Sequence, residues 1–261
     1  MNVFLNPEAW IAFLTLVFLE VVLGIDNIVF LSIMSGKAPA NKQRKVRQTG
    51  LLLAMAGRVG LLFGVSLLIR LTKPLFTVSS EWFSLTVNGQ SIIIFFGGLF
   101  LLYKSVTEIH HKFESNHLEE TKTKRSRGSS IAWIIVQIFL LDLIFSIDSV
   151  LTAIGMVSFN EFGYAGAMTL MISAIIVTIL VMMFFAAPVS KFVNNHPTVQ
   201  MLALSFLILI GVTLLVEAGH LSHLTVLDNP ISEIPKGYIY FAIFFSLLVE
   251  TLNLRLSKKN T

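Results

Sequence analysis

The chain has no cysteine, which excludes disulfides, thiolate metal sites and cysteine nucleophiles. It also has little charge. Asp, Glu, Lys and Arg make up 13% of its 261 residues, against about 25% in soluble domains. No ATPase motif is present, so a pump driven by nucleotide hydrolysis is not expected. Residues 1–7 carry no positive n-region, and the first apolar run lacks a small-residue cleavage site. That run therefore reads as a retained spanning helix and not as a signal peptide. The net charge of +4 is no nucleic-acid footprint, because the basic residues gather at the ends of apolar runs.

What the chain has in abundance is apolar surface. Hydrophobic residues make up 55% of it, 22 of them Phe, and the mean hydropathy is +0.80. Crossing a bilayer takes about 20 mostly apolar residues. Seven segments qualify, at approximately 10–34, 50–71, 90–106, 131–157, 164–187, 199–216 and 237–254. Turn-prone sequences such as Ser35-Gly36, Asn88-Gly89, Asn194-Asn195-His196-Pro197 and Asp228-Asn229-Pro230 separate them. Lys37, Lys42, Arg44, Lys45, Arg47, Lys112, Lys122, Lys124, Arg125, Arg127, Lys191, Arg255, Lys258 and Lys259 fall on one side of this arrangement, and only Lys73 and Lys236 on the other. The positive-inside rule then puts the C-terminus in the cytoplasm and the N-terminus outside. The stretch from about 110 to 130 reads as a flexible cytoplasmic linker. Its His110, His111 and His117 are weak metal candidates beside that reading.

Two of the apolar segments carry the same acidic pattern. Glu20 is followed by Asp26 and Asn27, and Asp142 by Asp148 and Ser149, at identical spacing. A charged side chain at the bilayer centre costs about 2.5–3.5 kcal/mol on insertion scales and more by simulation. Four of them in matched pairs imply a site for something cationic. The third and sixth segments also correspond, Ser91 to Gly97 with Ser205 to Gly211. The chain is thus expected to be all-α, with seven transmembrane helices. Two inverted three-helix repeats, about 8–109 and 131–220, would be followed by a seventh helix at about 237–254. Transporters built in this way bind substrate near the midplane at the repeat interface.

The expected ligands are all oxygens: Glu20, Asp26, Asn27, Asp142, Asp148 and Ser149. On straight helices Asp26 and Asp148 would lie about 120° from their partner acids. Gly24 and Ser146 are the places where a break would let the four converge. Carboxylate, amide and hydroxyl oxygens suit magnesium, calcium or manganese and suit copper or zinc poorly. Arg58 is the obvious buried counter-charge, expected to pair with one acid. Lys104, Glu108 and Arg70 lie near helix ends, from which they can snorkel. Glu250, followed by Asn253, is a candidate for the pathway. Glu217, His220 and His223 are candidates for a metal station at the outer end of the sixth helix. The bland reading of each is a structural hydrogen bond or an interfacial residue.

Phe18-Leu19-Glu20 running into Gly24-Ile25-Asp26-Asn27, Leu141-Asp142 running into Ser146-Ile147-Asp148-Ser149, Gly97-Gly98-Leu99-Phe100-Leu101-Leu102-Tyr103-Lys104 and the stretch Pro235 to Ala242 resemble the TerC family of integral membrane proteins. The resemblance spans almost the whole chain. It implies manganese export, pH-responsive metal homeostasis, a historical link to tellurium resistance and a place among LysE-type exporters. Some such proteins add cytoplasmic CBS and CorC-like domains, which this sequence is expected to lack. The function expected is therefore a bacterial inner-membrane exporter of divalent cations, manganese foremost, and not an enzyme. No resident cofactor is expected, and the partners are the bilayer, the metal ion and further copies of the chain in a homo-oligomer. Two alternatives stand beside it. One is an intramembrane aspartyl protease using Asp26 and Asp148, although its Gly-x-Gly-Asp context is missing. The other is a non-transporting membrane partner or sensor in the metal or tellurium-stress response.

Overall fold

The first helix is set by its own entry sequence. Asn6 accepts the Glu8 N–H on its side-chain oxygen at 3.0 Å, and Pro7 occupies the first helical turn, where its missing N–H costs nothing. A computed structural model describes residues 3–80, 82–117 and 130–259. After a short 3-10 turn at Val3–Leu5 come α1 (Pro7–Leu23), α2 (Ile25–Gly36), α3 (Ala40–Phe63) and α4 (Val65–Leu71). Strands β1 (Pro74–Ser79) and β2 (Phe83–Asn88) follow. Then come α5 (Gly89–His117), α6 (Ile131–Met156), α7 (Phe159–Asn195), α8 (Pro197–Leu221), β3 (Thr225–Val226), β4 (Asn229–Pro230) and α9 (Lys236–Lys259).

All seven expected apolar segments are helical. Among the described residues, four helices are long and apolar enough to cross a membrane: α5, α6, α7 and α8. The bent pair α1 and α2 raises this to five if it counts as one broken span. The N-terminal third of α3 carries Lys42, Arg44, Lys45 and Arg47, which leaves a short apolar stretch, and α9 carries Glu250 and Arg255. The molecule is thus a mainly helical membrane protein.

Three local expectations need correction. The fold is not purely helical, because β1 to β4 form a four-stranded antiparallel sheet in sequence order. The expected flexible linker is shorter than its composition suggests, because α5 continues through its first residues. His110 and His111 therefore lie on a helix. The His117 side chain and residues 118–129 lie outside the described residues. Ser146 does not break α6, which runs unbroken through it. The Gly24 break does occur, and the helices on its two sides meet at 43°.

The chain forms two compact units, residues 1–70 with 126–194 and residues 71–125 with 195–261. The first unit contains α1, α2, α3, α6 and α7, and its core is the packing of α3 on α6. The buried stripe of α3 is Val46, Gly50, Ala54, Arg58 and Leu62, four residues apart, with Leu51 beside it, as one helix face requires. Small residues bring the helices close. A Cβ on Gly50 would lie 3.0 Å from the Ile138 side chain, and one on Gly57 2.9 Å from Phe139. In lipid, where burial between helices gains little, such close backbone approach is the main source of association.

The second unit is organised by α5 against α8. A Cβ on Gly98 would meet the Gly211 carbonyl at 2.9 Å and Leu215 at 3.0 Å. A Cβ on Gly211 would meet Leu102 at 2.9 Å and the Gly98 carbonyl at 3.2 Å. The contact is reciprocal: each glycine touches the other's carbonyl and the leucine one turn beyond it. Asn88 ties the ends of the same two helices. Its amide donates to the Leu221 carbonyl at 2.7 Å, while its side-chain oxygen accepts the Ser91 N–H at 2.7 Å.

Candidate functional site

Arg58 is brought into contact with two acids, not one. It sits on the buried face of α3 and is 3% exposed. Its Nη1 donates to Glu20 Oε2 from α1. Its Nη2 and Nε donate to the two oxygens of Asp142 on α6, at 2.8 and 3.2 Å. The bidentate fork on Asp142 fixes both direction and distance, which a lysine ammonium would not do. Asn27, at the start of α2, adds an amide donor to Asp142 Oδ1 at 3.3 Å. The Ser146 hydroxyl, one turn along α6, lies 2.5 Å from the Asp142 carbonyl and 3.2 Å from its Oδ2. Ser146 was expected to be a breaking point, and it serves instead to hold the Asp142 carboxylate. The spacing of four residues from Asp142 to Ser146 was the available signal.

Glu20 and Asp142, the first acids of the two sequence motifs, thus share one guanidinium. Asn27 joins them from the first turn of α2, through its amide contact with Asp142. Ser149 is buried, and its hydroxyl donates to the Ser146 carbonyl at 3.4 Å. Asp148 is half-buried, six positions beyond Asp142 on α6. The Asp26 side chain lies outside the described residues. Among the described residues, no three His, Asp or Glu side chains gather closely enough to hold a metal ion. For Glu20 and Asp142 the physical reason is plain: their oxygens face Arg58.

Two small cavities lie on either side of this ion-paired layer. One, about 10 Å³, is lined by Glu20 with Leu16, Leu62, Val150 and Ala153, and by Met171, Ala174 and Ile175 of α7. The other, about 20 Å³, is lined by Asn27 and Asp142 with Phe30, Leu31, Gly50, Leu51, Ala54, Ile138 and Leu141. The second takes the earlier turns of α3 and α6 and the first the later turns, so the Arg58 layer separates them along the helices. Each is about the size that holds one water molecule.

The remaining candidates sit in the second unit. Glu217 is half-buried on α8. His220 Nδ1 lies 3.1 Å from the Ile231 carbonyl, a contact that fastens the loop after α8. His223 is exposed beyond the helix end with φ of 47°. These three do not form a metal cluster: the His220 ring meets a carbonyl, and His223 follows the left-handed turn outward. Glu250 is half-buried on α9, and Asn253 is exposed. Lys104 and Glu108 pair with each other at 3.2 Å within α5.

Residues 5–261 match the family described as integral membrane protein TerC. The inner membrane protein YgdQ of Escherichia coli strain K12, of the group UPF0053, is 44% identical over 98% of this chain and 96% of its own length. A UPF0053 protein of Haemophilus influenzae is 43% identical over 97% and 96%. The inner membrane protein YoaE of Escherichia coli strain K12 is 41% identical over the whole chain, which covers 45% of that longer protein. No solved structure matches the chain.

Proposed function

The chain belongs to the TerC family of integral membrane proteins, and from that premise we propose that it exports divalent cations, manganese foremost, across the bacterial inner membrane. Its several apolar helices and its relatives, named as inner membrane proteins, make it a multi-pass inner-membrane protein. The export reading goes further. The observation that carries it is the meeting of Glu20 and Asp142 on Arg58, flanked by two small cavities. Buried ionisable groups in a membrane mark ion pathways by default. Matched acids from the two sequence halves are what a shared midplane site between inverted repeats would need.

In this proposal seven segments span the membrane, with the N-terminus outside and the C-terminus in the cytoplasm. The reciprocal Gly98 and Gly211 crossing supports a two-fold relation between the repeats. Arg58 holds the carboxylates in a closed arrangement, and an entering cation displaces the guanidinium from them. Asp26, Asp148, Asn27 and Ser149 complete an oxygen ligand set for a hard divalent ion. A gradient drives the cycle, with no chemistry on the protein.

The test is cellular. Deletion of the gene should raise intracellular manganese under manganese excess, and overproduction should lower it. Equal manganese in deletion, wild-type and overproducing strains would remove the export reading.

A further inference from the structure

The sheet of the second unit has two chemically opposite faces. In the register of β1 on β2, Phe76 stands opposite Val87, Val78 opposite Leu85, Thr77 opposite Thr86 and Ser79 opposite Ser84. β3 extends both rows, with Val226 opposite Phe83 and Thr225 opposite Ser84. Side chains alternate along a strand, so one face carries Phe76, Val78, Phe83, Leu85, Val87 and Val226. The other carries Thr77, Ser79, Ser84, Thr86 and Thr225. Hydroxyl contacts across the strands hold this second face together, Thr77 to Thr86 at 3.3 Å and Ser84 to Thr225 at 2.7 Å.

The apolar face is bare. Phe76, Val78, Phe83 and Val226 are 41 to 54% exposed, and neither β1 nor β2 carries a charge. Trp82 and Leu227, joined by the Leu227 N–H on the Trp82 carbonyl at 2.9 Å, add exposed apolar side chains next to the Phe83 and Val226 pair. A patch of this kind marks a binding surface, and its position says for what. β2 runs into α5 with no residue between Asn88 and Gly89. The Thr86 N–H donates to the carbonyl of Ser222, the residue that caps α8, at 2.7 Å. Both helices are long and apolar enough to cross the membrane, so the sheet sits at the bilayer boundary. Size argues against a second copy as its cover. Strands of six residues are about 20 Å long, and at about 4.8 Å between strands the face offers only a few hundred Å². A stable protein interface takes about 800 Å² from each partner. Depth is limited too: β1 and β4 are the sheet edges, and unpaired strand edges do not enter the hydrocarbon core.

We propose that this sheet is an interfacial anchor, lying along the membrane surface with its Phe, Val and Leu face on lipid acyl chains and its Thr and Ser face toward headgroups and water. Trp82 then occupies the headgroup level that tryptophan favours. The leaflet is the one where α5 begins and α8 ends, the outer one on the proposed orientation. The inference stands apart from the export reading, since it needs no bound ion.

The test exploits the absence of cysteine. Phe76→Cys, Thr77→Cys, Val78→Cys and Ser79→Cys each give the full chain one site for a nitroxide spin label. The variants go into vesicles of phosphatidylethanolamine and phosphatidylglycerol. Electron paramagnetic resonance then reads collision of the label with oxygen, which concentrates in lipid, and with chromium oxalate, which stays in water. The ratio of oxygen to chromium oxalate collision should be several-fold higher at positions 76 and 78 than at 77 and 79. Strong chromium oxalate collision at all four positions would put the sheet in water and overturn the proposal. Weak collision with both reagents at 76 and 78 would mean cover by protein, a second copy included, and overturn it as well. The unlabelled chain gives a second reading: Trp82 emission, taken as wild type minus Trp82→Phe, should be quenched by lipids brominated near the headgroup end of their chains. Emission untouched by brominated lipid would also overturn the anchor.

Discussion

Replacing Arg58 with methionine gives the most informative perturbation of the buried network. Methionine preserves much of the side-chain volume but leaves Glu20 and Asp142 facing each other with no guanidinium between them. Arg58 is 3% exposed and makes contacts with both acids. Removing one partner of a buried ion pair typically costs about 3–5 kcal/mol, because the remaining charge is left uncompensated. Here two carboxylates are affected, so the upper half of that range is expected. With about 2–4 °C per kcal/mol for a chain of this size, Arg58→Met should melt about 8–20 °C below wild type in detergent. The triple variant Glu20→Gln, Arg58→Met, Asp142→Asn removes all three charges and should recover most of the loss, since neutralised networks are often no less stable than ionic ones. Membrane abundance, measured on the same variants, should follow the same order. A melting temperature for Arg58→Met within a degree or two of wild type would refute the claim that Arg58 compensates two buried carboxylates.

Further outcomes follow from other parts of the chain. Gly98→Val should lower membrane abundance, because its side chain would press on the Gly211 carbonyl at 2.9 Å; overpacking of this kind costs about 1–3 kcal/mol, and normal abundance would refute the close crossing of α5 and α8. Reporter fusions after residue 261 and between residues 119 and 125 should both report the cytoplasm, and a periplasmic signal from either would overturn the proposed orientation. Asp26→Asn should abolish Mn²⁺ flux while leaving abundance at or above the wild-type level, because it removes an insertion cost. Normal flux in a stable Asp26→Asn protein would take that acid out of the site.

The helices were legible because long apolar runs leave few alternatives once backbone groups must be satisfied in lipid. The Gly24 break was legible too, from the angular mismatch between Glu20 and Asp26 and the glycine between them. Ser146 carried the same mismatch but has a side chain that can bond its own helix, and α6 stays whole. The sheet was missed because β1 and β2 lie between two apolar segments, where only Asn88-Gly89 reads as a turn. Leu75, Phe76, Val78, Phe83, Leu85 and Val87 nevertheless supply the strand-forming residues. Composition made residues from 110 onward read as linker, although α5 simply continues past its apolar part. Arg58 stood out as a basic residue well inside an apolar segment, whereas Arg70 lies at its end. Its grip on both acids was not legible, since it depends on how closely Gly50 and Gly57 let α3 approach α6.

The central claim is that the paired acids carry a divalent cation through the membrane, and flux into proteoliposomes tests it most directly. Purified wild type and Asp148→Asn should be reconstituted at equal density, and Mn²⁺ entry followed under an imposed gradient with an encapsulated indicator. The account predicts Mn²⁺ entry with wild type and background entry with an equally stable Asp148→Asn protein. Entry at the background rate with wild type, or at the wild-type rate with Asp148→Asn, would contradict it.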